Sequence, residues 1–99
     1  MKIEKTILKN VLIITPKKHE DERGFFKEIY HQDRYHKNGI PGNNLKFVQD
    51  NHSFSTKGVI RGMHFQLSKP QGKLVSVISG EVFDVVVDIN PKSPNFKKW

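Results

Sequence analysis

Three side chains suited to proton-transfer chemistry lie in one short run of the sequence. Arg61, His64 and Lys73 fall within residues 61–73. An imidazole can take a proton from a carbon next to a carbonyl, and a nearby cation can stabilise the enolate charge that develops. Neighbouring cations also favour the neutral imidazole, which is the form that accepts a proton. The run therefore predicts enolate chemistry on an anionic substrate. The plainer alternative is a structural histidine between two surface cations.

A second candidate group is a row of three polar side chains. Gln49, Asp50 and Asn51 follow one another inside a segment that otherwise has β-strand character. Asparagine and aspartate are depleted in strands, so such a row needs hydrogen-bonding partners. Two readings stay open, an edge strand or bulge, and the binding of a polar ligand inside a barrel.

A third candidate group combines a cation, an acid and aromatic surface. Arg23 and Glu28 flank Phe25 and Phe26. Charge of both signs beside aromatic surface makes this a candidate binding group. The alternative for the two phenylalanines is that they belong to the core.

The sequence argues against a metal centre. It contains no cysteine, which excludes thiolate ligands and disulfides. Gln66 stands two residues after His64, and glutamine is a poor ligand for transition metals compared with imidazole. We expect no metal. The glycine patterns of phosphate-binding loops do not occur, so any phosphate must be held by lysines and arginines.

Short strands separated by turns are predicted to position these residues. Alternating or continuous apolar stretches and turn residues recur along the chain, and no long helical pattern appears. The pattern favours an all-β sandwich or barrel. Strands are predicted at 7–15, 23–30, 47–54, 58–66, 74–78 and 81–89, with a charged loop at 17–22, one helical turn at 33–37 capped by Asp33, and a turn at 38–44.

Length and charge limit the class of protein. We expect one domain over residues 1–99, because the chain has 99 residues. The net charge of +7 favours anionic partners. No signal peptide or membrane-spanning run is visible, and the lack of cysteine fits a reducing compartment, so a cytoplasmic location is expected. We expect neither nucleic acid nor a membrane as partner.

Five motifs in series resemble the dTDP-4-dehydrorhamnose 3,5-epimerase family. The resemblance covers nearly the whole chain, in order, at residues 23–28, 47–53, 58–66, 71–75 and 80–88. It implies a cupin-like jelly-roll β-barrel, expected to be incomplete here, a homodimer, a dTDP-sugar substrate, and neither metal nor organic cofactor.

The resemblance also implies a role for each candidate residue. His64 is implied as the base that removes the C3 and C5 protons of the keto-hexose, and Lys73 as the cation at the C4 enolate and in substrate binding. Arg61 is implied in substrate binding. Arg23 and Glu28 are implied at the nucleotide end, from a neighbouring subunit, and Gln49, Asp50 and Asn51 along the substrate channel.

One part of the family's catalytic set has no counterpart in the sequence. The family's acid is a tyrosine in the second half of the chain, whereas Tyr30 and Tyr35 precede four of the five matching motifs. We therefore expect a chain that corresponds to the first part of an epimerase and lacks the acid. The alternatives are a dTDP-sugar mono-epimerase or ketoisomerase, and a non-catalytic basic β-module that binds anionic ligands such as nucleic acid.

Overall fold

The computed structural model describes residues 1–42 and 44–99. Its regular elements are mostly β, and the strands form two separate antiparallel pairs. No closed barrel forms among these residues. The chain folds into two compact units, the first made of Met1–Tyr30 with Val77–Trp99 and the second of His31–Ser76. The elements are β1 (Lys2–Lys5), β2 (Leu12–Thr15), β3 (Lys18–Asp21), β4 (Gly24–Lys27) and α1 (Gln32–Lys37).

The first hairpin of the first unit places its apolar side chains opposite one another. In the β1–β2 pair Ile3 lies opposite Ile14, and both are half-buried. Leu8, in the connecting loop, is buried. The predicted strand at 7–15 is thus confirmed only for β2, because residues before Leu12 form the loop that lets β1 pair back onto it.

The hydroxyl of Thr6 organises the loop between β1 and β2. Its oxygen accepts a hydrogen bond from the backbone N–H of Leu8 at 3.1 Å. The hydroxyl also lies 3.2 Å and 3.1 Å from the carbonyl oxygens of Leu8 and Val11, to which it can donate. A backbone bond from Thr6 N to Val11 O, 3.3 Å long, closes the same loop. One side chain therefore satisfies several polar groups of the loop that buries Leu8.

The second hairpin pairs a charged strand with an aromatic one. Asp21 lies opposite Gly24 and Lys18 opposite Lys27, which leaves a two-residue turn between β3 and β4. Gly24 has a φ of +130°, a conformation that glycine adopts readily. The predicted strand at 23–30 is confirmed over β4, but the predicted loop at 17–22 is wrong. The turn brings the charged residues into register with β4, and backbone pairing does not require apolar side chains.

Chain segments near residues 88–98 complete the first unit. The backbone N–H of Lys97 donates to the carbonyl of Asp88 at 2.7 Å, and that of Asp88 donates to the carbonyl of Lys98 at 3.0 Å. The side-chain amide of Asn95 donates to the carbonyl of Ile7 at 2.6 Å, a contact between residues 88 positions apart. This contact links the first hairpin's loop to residues far along the chain.

The second unit is built on α1 and two buried side chains. Tyr35 is 2% exposed and Ile40 is 6% exposed. The predicted helical turn is confirmed, but His31 rather than Asp33 occupies the N-cap, and Asp33 lies in the first turn, where its charge suits the helix dipole. Asn43, within the turn predicted at 38–44, lies outside the described residues. No helix in the described ranges is long and apolar enough to cross a membrane.

The strands predicted at 47–54, 58–66, 74–78 and 81–89 are wrong for this structure. None of these segments has strand pairing in the described chain, and their side chains are mostly exposed, with Ile60 at 92% and Phe83 at 87%. Apolar and β-branched side chains fit a sheet surface, but a strand forms only where a neighbour pairs with its backbone groups. These segments lack such a neighbour among residues 1–42 and 44–99.

Replacing Thr6 by valine tests the loop. Because valine keeps the shape but cannot accept or donate, we expect Thr6→Val to lower the free energy of unfolding by about 1 kcal/mol in equilibrium denaturation. Thr15→Val is the matched control, since Thr15 is an exposed β2 residue, and its effect should stay within about 0.5 kcal/mol. Equal effects of the two changes would contradict the role of the Thr6 hydroxyl.

Candidate functional site

In the first unit, the tip of the β3–β4 hairpin holds the side chain of Arg23 against Asp21. The Nη2 of Arg23 donates to Oδ2 of Asp21 at 2.6 Å, and its Nε lies 3.3 Å from both carboxylate oxygens. The backbone N–H of Arg23 also donates to Oδ1 of Asp21, at 2.9 Å. One carboxylate therefore fixes both the backbone and the guanidinium of this arginine.

The contact changes the protonation behaviour of both groups. The guanidinium of Arg23, and then its backbone N–H, hold the pKa of the Asp21 carboxyl below its ordinary value. The carboxylate in turn raises the pKa of Arg23. A carboxyl whose folded pKa is lowered stabilises the fold above its ordinary pKa, and this contribution is lost as the pH falls below about 4. Both groups are therefore charged at neutral pH.

The same hairpin presents an aromatic ring beside two lysines. The Nζ atoms of Lys18 and Lys27 lie 4.6 Å and 5.7 Å from the centroid of the Phe25 ring. A shallow cavity of about 480 Å³ is lined by Arg23, Phe25, Phe26 and other residues of the hairpin. Phe25 is 59% exposed and Phe26 is 71% exposed, so the alternative that the phenylalanines belong to a core is wrong for both. Cations beside exposed aromatic surface suit a ligand that combines an anion with a ring.

In the second unit, Arg61 is anchored to the segment that precedes it. Its Nε donates to Oγ of Ser55 at 2.9 Å, and its Nη2 donates to the carbonyl of Phe54 at 3.1 Å. In the same unit, the side-chain amide of Gln49 donates to Oδ1 of Asn51 at 3.2 Å. These short-range contacts hold Arg61, and separately Gln49 with Asn51, in defined local conformations. Asp50, which lies between Gln49 and Asn51 in the sequence, is exposed.

His64 and Lys73 are both exposed in the second unit. The ring of His64 lies beside Gly62, where a Cβ atom would stand 3.6 Å from Nδ1, and Gly62 has a φ of +118°. In the described chain, no hydrogen bond or ion pair joins Arg61, His64 and Lys73. That these three side chains act together in enolate chemistry stays a prediction. In the first unit Glu28 follows β4 directly and is exposed.

The described residues contain no group of three histidine, aspartate or glutamate side chains placed to hold a metal ion. They do contain a cavity that the sequence did not predict. It measures about 660 Å³ and is lined in part by His36 and Lys46 in the second unit. The Nε2 atom of His36 is buried and has no hydrogen-bond partner among the described residues. These residues form no recognisable motif, so no sequence signal marked them.

Comparison with known proteins gives the family. A sequence profile described as dTDP-4-dehydrorhamnose 3,5-epimerase matches residues 5–99. The chain belongs to the dTDP-4-dehydrorhamnose 3,5-epimerase family. The matched range contains every candidate site residue of both units, so the resemblance carried by the five motifs is confirmed. No solved structure matches the chain.

Individual relatives of the dTDP-4-dehydrorhamnose 3,5-epimerase family agree. A dTDP-4-dehydrorhamnose 3,5-epimerase of Shigella flexneri is 53% identical over 100 residues, which cover 100% of this chain and 54% of that protein. One from Methanothermobacter thermautotrophicus is 48% identical, covering 96% of this chain and 50% of the relative. A dTDP-4-dehydrorhamnose 3-epimerase of Streptomyces niveus is 40% identical, and the match covers 100% of this chain and 47% of the relative. The chain spans about half the length of these curated relatives.

Removing the arginine tests the electrostatics of the hairpin tip. We expect Arg23→Ala to raise the pKa of Asp21 toward its ordinary value, because the largest cause of its lowering is removed. Carboxyl-carbon chemical shifts followed against pH measure this. Asp88 is the internal control, since its pKa is lowered by hydrogen bonds from the Ser93 hydroxyl and the Asn90 backbone, which the change leaves intact. An unmoved Asp21, or a moved Asp88, would contradict the assignment.

Proposed function

We propose that this chain supplies the base and the nucleotide-binding hairpin of a dTDP-4-dehydrorhamnose 3,5-epimerase, which acts on a dTDP-4-keto-6-deoxyhexose. The observation that carries the proposal is the family match over residues 5–99, which includes the run from Arg61 to Lys73. Relatives named for this reaction, at 53% and 48% identity, support it. The product would serve the synthesis of dTDP-L-rhamnose.

The proposed chemistry follows from the ketone at C4 of the sugar. A carbonyl acidifies the C–H bonds on both of its neighbours, so one base can act at C3 and at C5 in turn. His64 takes the proton, the electron pair moves into the C4 oxygen as an enolate, and the ammonium of Lys73 stabilises that charge. Return of a proton to the opposite face of the carbon inverts its configuration. No metal or organic cofactor takes part in the proposed reaction.

The proton that returns must come from a second group, because His64 lies on the face that lost it. Tyr35 does not suit this role, since it is 2% exposed and lies in the core of the second unit. We therefore do not assign the acid to Tyr35.

The proposed binding contacts come from three segments of the chain. Arg23, whose side chain is 83% exposed, and Glu28 are proposed at the nucleotide end, where the exposed ring surface of the hairpin suits the thymine. Arg61 and Lys73 are proposed to bind the anionic and carbonyl groups of the substrate. The polar row, proposed along the sugar channel, consists of Gln49, Asp50 and Asn51.

We further propose a single-domain, cupin-like jelly roll in a cytoplasmic homodimer. Exclusion of water strengthens the electrostatic contacts on which an enolate depends, yet His64 and Lys73 are exposed in this chain. The apolar side chains around them are exposed too, Ile60 at 92% and Leu67 at 92%. If further strands and a second subunit covered this surface, the apolar groups would be buried and water would be excluded from the site. Dimerisation would also let Arg23 and Glu28 serve a neighbour's substrate.

A mono-epimerase is the second candidate function. It is favoured by one observation, that the Streptomyces niveus relative at 40% identity is named a 3-epimerase. The two candidates share the base and the cation, and they differ in how many carbons are processed. Solvent deuterium that enters both C3 and C5 supports the 3,5-epimerase, whereas deuterium at C3 alone supports the mono-epimerase.

Replacing the base tests the proposed mechanism. Because general-base catalysis contributes about 10²–10⁴-fold, we expect His64→Asn to slow deuterium incorporation into the keto-sugar by at least about 100-fold. Lys73→Met should also slow it strongly, because the enolate loses its cation. Nuclear magnetic resonance of the sugar in D₂O measures both rates.

The control for this test is another histidine of the second unit. His36 lies in α1, outside the proposed site, and His36→Asn should leave the exchange rate within about threefold of the unchanged protein. Full exchange in His64→Asn would contradict the assignment of the base.

A further inference from the structure

We infer that Asp21 is a positioning residue for nucleotide recognition, because it holds the guanidinium of Arg23 in the orientation that meets a diphosphate. The inference rests on the proposed function, which places Arg23 at the nucleotide end. The family resemblance assigned no role to Asp21. The geometry of the hairpin tip does, through four contacts to one carboxylate.

The way in which Asp21 holds Arg23 leaves the useful edge of the guanidinium open. A guanidinium has five N–H donors in a rigid plane. The carboxylate takes the Nε–H and one N–H of Nη2. Within the described chain, no further partner occupies Nη1 or the second N–H of Nη2. These two nitrogens present parallel donors along one edge, which matches two oxygens of a phosphate.

The hairpin makes this support rigid. Asp21 is the last residue of β3 and is paired in register with Gly24, so only two residues separate the paired positions. The same carboxylate oxygen that contacts Nε also accepts the backbone N–H of Arg23 at 2.9 Å. An exposed arginine loses rotamer freedom when it binds a ligand. An arginine that is already ordered loses less, so preorganisation improves affinity.

Charge alone predicts the opposite effect, and this makes the inference testable. Asp21 carries a negative charge beside a site proposed for an anion. Removing it would strengthen the attraction of dTDP if only long-range electrostatics mattered. Positioning predicts weaker binding instead. Asp21→Asn suits the test, because its side-chain oxygen can still accept the backbone N–H of Arg23 and so preserve the turn.

Glu22→Gln is the matched control. Glu22 lies between Asp21 and Arg23, is exposed, and makes no hydrogen bond or ion pair in the described chain, and its replacement changes the charge by the same amount. Any electrostatic gain should therefore appear in both variants, whereas the loss of positioning should appear only in Asp21→Asn.

The experiment is calorimetric titration of the purified protein and its variants with dTDP at neutral pH and low salt. We expect Asp21→Asn to weaken binding about fivefold, the scale of one exposed ion pair, and Glu22→Gln to bind as tightly as the unchanged protein or tighter. Arg23→Ala should bind weakly, and adding Asp21→Asn to it should cause no further loss, because the two residues act as one unit. The Nε–H of Arg23 should exchange with water faster in Asp21→Asn than in the unchanged protein, because it loses its carboxylate partner.

The outcomes separate the inference from the proposed function. If Arg23→Ala loses affinity but Asp21→Asn binds like Glu22→Gln, the positioning role is wrong and the nucleotide site stands. If Asp21→Asn weakens binding equally in the presence and absence of Arg23, the role is wrong as well. If the unchanged protein does not bind dTDP, or Arg23→Ala binds normally, the proposed nucleotide site fails, and the inference fails with it.

Discussion

Backbone pairing between strands is the constraint on which this structure depends. Each buried peptide group needs a hydrogen-bond partner, and a strand obtains its partners only from a neighbouring strand. Two short connections, the loop around Thr6 and the turn at Glu22 and Arg23, bring such neighbours together. Where no neighbour is available among the described residues, segments with strong β character remain unpaired.

This constraint explains why the sequence predicted some elements and not others. The alternation around Phe25 and Phe26 correctly indicated β4, because those side chains suit a sheet. The charged residues of β3 gave no such signal, and they form a strand only because the tight turn places them beside β4. The apolar stretch that contains Val85, Val86 and Val87 has strong β propensity, yet propensity describes side chains and does not supply a partner.

The candidate site was likewise predictable from the sequence only in part. The types and spacing of Arg61, His64 and Lys73 predicted a base beside cations, and the motifs correctly indicated the family. The anchoring of Arg61 by Ser55 and by the carbonyl of Phe54 depends on the path of the loop and was not predictable from residue types. A sequence pattern could have indicated the contact between Asp21 and Arg23. An acid and an arginine two residues apart, followed by a glycine, suit a tight turn.

Arg23 and Arg61 are therefore held by local contacts. His64 and Lys73, the proposed base and its cation, are exposed on segments that pair with no strand in the described chain. Local contacts within a few residues form without help from distant parts of the fold. The arrangement of His64 against Lys73 requires two segments to become neighbours in a sheet. The local structure of this chain can thus define the binding groups. The proposed catalytic geometry instead requires residues 58–75 to pair as strands and to be covered from solvent.

Amide hydrogen exchange, read residue by residue, tests the pairing of strands most directly. Paired amides exchange slowly and unpaired, solvated amides exchange quickly. We predict protection in the two hairpins, β1 with β2 and β3 with β4, and near-free exchange across residues 47–54, 58–66 and 74–78. Slow exchange at alternate amides of residues 74–78 and 81–87 would show a third paired hairpin. That result would contradict the claim that strand pairing among residues 1–42 and 44–99 is confined to the first two hairpins.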